Sequence, residues 1–167
     1  MLHRSYLLEL ASPDAFRPKS FPRDDVVLTR ATVNEAEASS TLWHEVGRGF
    51  WTERSEWTLL QWQRYLQRPE IHFSIASLGG NPVGFFELRM GGDQAKLEGF
   101  GLLPSWRKHG LGGGLLSAAT QQAFGLGARR IWLHTATDDH PHALPNYQAR
   151  GYRIYHEETL RNPMAER

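Results

Sequence analysis

The sequence predicts an α/β fold with a mixed central sheet, in which an antiparallel meander precedes a parallel pair of strands. Residues 71–103 hold three apolar segments separated by the tight-turn sequences "GGN" and "GGD", a pattern typical of hairpins. After Pro104 the apolar residues take helical spacing, and a further strand segment follows at 129–137. A strand, a helix and a strand in succession favour a right-handed crossover, which places the two strands parallel.

In the first half of the chain, proline-rich and polar residues mark the ends of the predicted strands and helices. We predict strands over residues 5–12 and 25–33, separated by a proline-rich connector. A helix is then expected with Asn34 as its N-cap. A second helix is expected with Ser55 as its cap, stopping before Pro69.

The second half contains one long helix, predicted from apolar residues that share a face. These residues are Leu111, Leu115, Ala118 and Ala119. Gly125 and Gly127 are expected to end this helix. A short helix over 141–150 and a last strand over 151–160 complete the prediction.

The composition predicts a single domain over residues 1–167, in which residues 1–24 form an N-terminal arm. The chain has 167 residues, 40% of them hydrophobic, which suffices for one core. A net charge of +1 gives no reason to expect nucleic acid as a partner. The segment "YLLEL" is too short for a signal peptide and no run is long enough to span a membrane, so we expect a soluble, cytoplasmic protein without membrane partners.

The segment "LLPSWRKHGLGGGLL", residues 102–116, places four glycines at the start of the long helix. Each glycine costs about 0.5–1 kcal/mol relative to alanine there, so the bare backbone needs a reason. A glycine-rich turn before a helix can hold phosphate oxygens on its N–H groups. The spacing fits neither a nucleotide P-loop, which needs Gly-Lys-Ser/Thr, nor the dinucleotide fingerprint G-x-G-x-x-G. A helix start that serves tight packing alone is the structural alternative.

The pattern L-x-P-x-x-R-x-x-G-x-G runs from Leu102 to Gly112 and resembles the acyl-CoA signature of the GNAT superfamily of N-acetyltransferases. A second segment, "ALPNYQARGY", is similar to the late A-x-x-x-Y-x-x-x-G-F/Y segment of that family; its matching residues are Ala143, Tyr147, Gly151 and Tyr152. The order of elements from Asp25 to Leu160 also follows that of the family. The resemblance therefore covers most of the chain.

The resemblance implies the GNAT fold, with helices on both faces of the sheet and the parallel pair at the cofactor cleft. It also implies acetyl-coenzyme A as co-substrate, no metal, and a small-molecule amine as acceptor; it allows a homodimer. The cofactor-binding residues that it implies are Leu102, Leu103, Arg107, Lys108, His109, Gly110, Leu111, Gly112, Gly113, His140 and Tyr147. The usual family chain ends in a two-stranded hairpin, whereas seven residues follow Leu160 here. We expect residues 6–10, "YLLEL", to take the place of the missing strand.

The catalytic candidates are Tyr147, Glu98 and His134. The family position makes Tyr147 the general acid for the leaving thiolate, and a core aromatic with a satisfied hydroxyl is the structural alternative. Glu98 and His134 are alternative bases: Glu98 shares a strand face with Leu102, and imidazole exchanges protons near neutral pH. With no cysteine in the chain, we expect direct attack of the amine on the thioester.

The region between the first two helices is expected to form the acceptor pocket, with Trp51, Glu53 and Arg54 as candidates. His140 stands where many family members carry an asparagine. The spacing of His140 and His142 alone is weak evidence for a metal. Two other functions remain open: a non-catalytic acyl-CoA sensor or partner, and an acetyltransferase for peptide or protein N-termini.

Overall fold

The computed structural model describes residues 3–160 and places seven strands in one sheet, with four α-helices around it. The strands are β1 (His3–Leu10), β2 (Val27–Arg30), β3 (Ile71–Leu78), β4 (Asn81–Gly91), β5 (Gln94–Leu102), β6 (Arg130–Ala136) and β7 (Arg153–Leu160). The helices are α1 (Ala36–Gly47), α2 (Leu59–Leu66), α3 (Gly112–Gly125) and α4 (Ala143–Ala149). Among the described residues, none of these helices combines the length and the apolar content that a bilayer span requires.

The strand order in the sheet is β2-β3-β4-β5-β6-β1-β7. Neighbouring strands run antiparallel except for β5 and β6, which are parallel and joined through α3. This arrangement confirms the predicted α/β fold class, with its antiparallel meander from β3 to β5 and its parallel pair.

The N-terminal strand β1 lies inside the sheet, between β6 and β7. It pairs antiparallel with both of them, over Ser5–Leu10 on one edge and His3–Glu9 on the other. Leu8 and Leu10 are fully buried. The predicted strand at the N-terminus is therefore confirmed, and both of its edges are paired.

The parallel strands β5 and β6 separate soon after they begin. Within the described residues their pairing runs only from Gln94 opposite Arg130 to Lys96 opposite Trp132. On its other edge, β5 shifts register against β4 so that Glu98 has no opposite residue. Such a bulge bends a strand and ends its pairing, which accounts for the gap that opens beyond Lys96.

Helices cover both faces of the sheet. Strand side chains alternate between the faces, so apolar residues on both faces must be buried. Phe85 and Phe86 of β4 are both fully buried, yet they belong to different cores. Phe86 packs in the core that contains Leu115 and Leu116 of α3. Phe85 packs in the core beneath α1 and α2.

The predicted N-caps of the first two helices are wrong. Thr32, not Asn34, caps a short 3-10 turn that leads into α1, and its partner is Glu35. Thr58, not Ser55, caps α2 together with Gln61. Each pair satisfies two backbone N–H groups at once, whereas a single capping side chain satisfies one.

Candidate functional site

A cleft of about 1010 Å³ opens where β5 and β6 separate. One wall is formed by β5 and by the loop that leads from it to α3. The other wall is formed by β6 and by the first turn of α4, and the segment after α1 closes one end. The bulge at Glu98 thus creates the space between two strands that would otherwise remain paired.

The glycine-rich loop offers a run of free backbone donors to this cleft. Within residues 3–160, no protein acceptor takes the backbone N–H groups from Gly110 to Gly114. The next amide, that of Leu115, donates to the carbonyl oxygen of Leu111 at 2.9 Å and continues α3. Unpaired amides at a helix N-terminus, together with the helix dipole, form a binding site for anions.

The positions of this loop require glycine, which has no side chain, for different reasons. Gly110 has a φ of +73°, which disfavours any side chain. Gly112 lines the cleft, and a Cβ there would lie 3.5 Å from the Asn146 amide nitrogen, an ordinary contact. A Cβ on Gly114 would lie only 2.5 Å from the ring of Phe21. Packing therefore accounts for Gly114, whereas packing against the protein does not explain Gly112.

Most of the residues expected to bind a cofactor line the cleft. They are Leu102, Arg107, Lys108, Gly110, Gly112, Gly113, His140 and Tyr147. Three others do not line it. Leu111 is buried in the core, the amide of Leu103 donates to the Val83 oxygen at 2.8 Å, and the ring of His109 packs on Trp106 at 4.8 Å. The Leu103 amide is therefore not free to bind a cofactor.

Tyr147 reaches the cleft from α4. It is 8% exposed and packs against the rings of Phe100 and Tyr152, each at 6.1 Å between centroids. Burial raises the pKa of its hydroxyl well above the ordinary value, and the nearby charges of Asp139 and Tyr152 add to the shift. The hydroxyl therefore keeps its proton at neutral pH.

The two candidate bases lie on opposite sides of the gap between the strands. Glu98 and His134 each stand two residues beyond the last pair of β5 and β6, and both line the cleft. The Glu98 carboxylate forms ion pairs with Arg89 Nε at 3.4 Å and Lys96 Nζ at 3.3 Å, and its side chain is 15% exposed. His134 is exposed.

Arg107 and His140 meet on the same aromatic ring at the edge of the cleft. The Arg107 guanidinium lies over the Phe50 ring at 5.2 Å, and the His140 ring contacts Phe50 at 5.7 Å. Arg107 also donates to the carbonyl oxygen of Val46 at 3.0 Å. Burial lowers the pKa of His140, and the positive charge of Arg107 and the neighbouring His142 lower it further. His140 is therefore neutral at pH 7.

The three acceptor-pocket candidates differ in what their side chains contact. Trp51 and Glu53 line the cleft, and Glu53 is exposed. Arg54 also borders the cleft, but its guanidinium turns inward and binds both carboxylate oxygens of Glu87, at 2.6 and 2.9 Å. The guanidinium also lies 3.8 Å above the Trp43 ring, so its contacts are within the protein.

Sequence reasoning missed Glu87 and Tyr65, which complete the Arg54 cluster. Glu87 is fully buried, and the Tyr65 hydroxyl donates a hydrogen bond to Glu87 Oε2 at 2.6 Å. The available signal was a single carboxylate within the apolar strand "PVGFFELRM", because a charge that is buried on a strand requires a partner.

Among the described residues, no group of three or more histidine or carboxylate side chains could hold a metal ion. The Asp139 carboxylate is engaged within its own turn, where it accepts from the Thr135 hydroxyl and from the Ala136 amide. The turn before α4 is therefore held by its own hydrogen bonds.

Comparison with known proteins gives a consistent result. Residues 35–152 match the family described as Acetyltransferase (GNAT) family. A GCN5-related N-acetyltransferase from Kribbella flavida is 25% identical with a TM-score of 0.67, covering 96% of this chain and 58% of its own. No protein of curated function matches the chain.

Two further solved structures share the fold and carry ligands. An aminoglycoside acetyltransferase from an uncultured soil metagenomic sample, in complex with sisomicin, is 15% identical with a TM-score of 0.62, covering 75% of this chain and 87% of that one. The PaiA N-acetyltransferase from Thermoplasma acidophilum, in complex with coenzyme A, is 18% identical with a TM-score of 0.52, covering 62% and 75%. The chain spans 50–63% of the length of the structures that it matches along 95–96% of its own length.

Proposed function

Because this chain belongs to the GNAT acetyltransferase family, we propose that it transfers an acetyl group from acetyl-coenzyme A to the primary amine of a small molecule. The observation that carries the proposal is that the amides of Gly110, Gly112 and Gly113 have no protein acceptor among the described residues and lie at the edge of a cleft between two separated parallel strands.

The loop fits the anionic part of this donor. A diphosphate carries negative charge on several oxygens, and the amides of Gly110, Gly112 and Gly113 supply donors for them at the cleft. A Cβ on Gly112 would meet only the Asn146 amide, so the surface there is open to a ligand. When bound, acetyl-coenzyme A would supply a thioester, whose carbonyl carbon is open to attack by an amine.

The protonated hydroxyl of Tyr147 suits a hydrogen bond to the leaving sulfur. As the new C–N bond forms, the C–S bond breaks and its electron pair leaves on sulfur. A thiol titrates near a pKa of about 8.5, whereas burial raises the pKa of Tyr147 above the ordinary tyrosine value. Complete proton transfer from Tyr147 to the thiolate is therefore uphill. A donated hydrogen bond stabilises the thiolate without that cost.

The acceptor amine must lose a proton before it attacks. An alkylammonium group with a pKa of about 10.4 costs about 4–5 kcal/mol to deprotonate at neutral pH, and general base catalysis offsets part of this barrier. We propose Glu98 or His134 for this role, directly or through water, because each stands two residues beyond the last β5–β6 pair and both line the cleft.

The cleft is lined by charges of both signs. Arg107 and Lys108 lie at the glycine loop and Lys96 pairs with Glu98, whereas Glu53 is an exposed carboxylate in the lining. The cleft volume of about 1010 Å³ lies at the upper end of the range for small-molecule sites, and the aminoglycoside acetyltransferase with a similar fold is in complex with sisomicin. The volume of the cleft and the ligand of this structural neighbour support a small amine as the acceptor.

A panel of primary amines and short peptides with acetyl-coenzyme A, followed by thiol release, tests the proposed function. We expect amine-dependent thiol release that exceeds the release without acceptor. Tight donor binding with no turnover on any acceptor would favour the sensor, and turnover restricted to peptides would favour N-terminal acetylation.

A further inference from the structure

A short N-terminal segment, residues 13–24, passes over the first turns of α3 and is fixed there. The backbone N–H of Lys19 donates to the Ser117 hydroxyl at 2.8 Å, and Phe21 packs against Gly114. The backbone N–H of Arg17 donates to the carbonyl oxygen of Arg150 at 2.9 Å. The segment lies outside residues 35–152, which match the family, so the family pattern says nothing about it.

Lys19 of this segment and Arg150 at the end of α4 lie on one side of the glycine loop. A Cβ on Gly113 would lie 2.6 Å from Arg150 Nη1 and 2.7 Å from Lys19 Cδ, so both side chains approach the same point. Gly113 and Lys19 line the cleft, and the Gly113 amide has no protein acceptor among the described residues.

These two cations have no anionic partner in the part of the chain that the structure describes. Neither Lys19 nor Arg150 forms an ion pair or a side-chain hydrogen bond within residues 3–160. The Arg150 Nε is buried and unpaired. By contrast, the partly buried Arg54 and Arg130 each bind a carboxylate.

We propose that Lys19 and Arg150 together bind a phosphate group of the donor. The Arg150 guanidinium and the Lys19 side chain both approach Gly113, and both positive charges attract an anion that binds there. Arginine and lysine are the side chains that bind phosphate most often in proteins. The inference rests on the proposed function, and it assigns the N-terminal segment a role in donor binding.

Isothermal titration calorimetry with coenzyme A tests the pair. We expect Lys19→Met and Arg150→Met each to raise Kd about tenfold, the usual effect of losing one charge-assisted hydrogen bond. Arg150→Lys keeps the charge and should recover part of the affinity. Arg64→Met is the matched control, because Arg64 is an exposed cation on α2 outside the cleft, and it should change Kd less than twofold.

A parallel titration with 3′-dephospho-coenzyme A identifies which phosphate is bound. If the variants lose their effect with this ligand, the pair binds the 3′-phosphate; if they weaken both ligands equally, it binds the diphosphate. Unchanged Kd values for Lys19→Met and Arg150→Met would overturn the inference alone. Absence of binding to the unmodified protein would overturn the proposed function, and the inference with it. Lys19 is exposed, so Lys19→Met carries the test even if Arg150→Met fails to fold.

Discussion

The hydroxyl of Tyr147 is expected to act on the leaving group and not on donor affinity. We predict that Tyr147→Phe lowers kcat about 100-fold or more, because it removes the proton that stabilises the thiolate. The Kd for coenzyme A should stay within about threefold, since the ring and its contacts remain. The measurement is thiol release, with the acceptor that the unmodified protein uses best.

Tyr152→Phe is the matched control for this prediction. Its hydroxyl is also buried, but it bonds the Thr120 hydroxyl at 2.8 Å, and Tyr152 does not line the cleft. It should lose about 1 kcal/mol of stability, the usual worth of a buried hydrogen bond, with kcat unchanged. Equal losses of kcat in both variants would assign Tyr147 a packing role only.

The Arg54–Glu87 pair is expected to hold the segment that closes one end of the cleft. We predict that Glu87→Gln lowers the free energy of unfolding by about 3–5 kcal/mol, because the guanidinium remains buried without its counter-charge. The Arg54 side chain is 9% exposed and Glu87 is fully buried, so water cannot replace the lost partner. Urea unfolding measures the change.

The exposed Arg48–Glu45 pair provides the comparison for this prediction. Its side chains are 75% and 40% exposed, and Arg48→Met should cost less than about 1 kcal/mol. Replacing both Arg54 and Glu87 by methionine should cost less than the sum of the two single changes. If Glu87→Gln costs no more than Arg48→Met, the buried pair does not stabilise the fold.

Within α3, the position of a glycine decides the sign of its replacement by alanine. We predict that Gly114→Ala destabilises the protein by about 1–3 kcal/mol, because the new Cβ would meet Phe21 at 2.5 Å on its ring and 3.0 Å at its Cα. Gly125→Ala meets nothing within 4 Å and should stabilise by about 0.5–1 kcal/mol. Thermal and urea unfolding of both variants give the two signs. A stabilising Gly114→Ala would contradict the packing of the N-terminal segment on α3.

Gly112 lines the cleft, and replacing it should change ligand affinity without changing the stability of the fold. We predict that Gly112→Ala keeps the stability of the protein, since its Cβ would make only an ordinary contact with Asn146. It should weaken coenzyme A binding about tenfold or more, because a methyl group would stand where the diphosphate approaches the amides. Calorimetry measures Kd, and an unchanged value would show that the anion lies elsewhere.

Local patterns predicted the strands and the glycine-rich start of α3, because turn sequences and glycine spacing lie within a few neighbouring residues. The N-caps predicted at Asn34 and Ser55 were wrong. The sequence does contain the correct signal, because Thr32 and Thr58 each stand three residues before a Glu or Gln, the pattern of a capping box. Long-range contacts could not be predicted in this way. Phe21 meets Gly114 across more than ninety positions of the chain, and no local pattern encodes that contact.

At the scale of the molecule, the important feature is that three residue pairs alone join β5 to β6 within residues 3–160. The gap divides the strands of the sheet into two groups, called here its two sides. The first side comprises β2 to β5, and the second comprises β6, β1 and β7. Along the chain, the glycine loop comes directly after β5 of the first side, whereas His140 and Tyr147 come after β6 of the second side. A donor that contacts both the loop and α4 would therefore link the two sides where the sheet itself is least paired.

We predict that coenzyme A raises global stability and protects the two walls of the cleft. At one hundred times Kd the free energy of unfolding should increase by about 2.7 kcal/mol. Hydrogen exchange should slow most at residues 107–114 and at 140–147, because these amides gain a ligand or lose motion. The edge strand β2, which is exposed and distant in the strand order, should exchange as before. Protection confined to residues 107–114 would mean that the donor binds the loop without linking the sides, and Tyr147 could then not reach its sulfur.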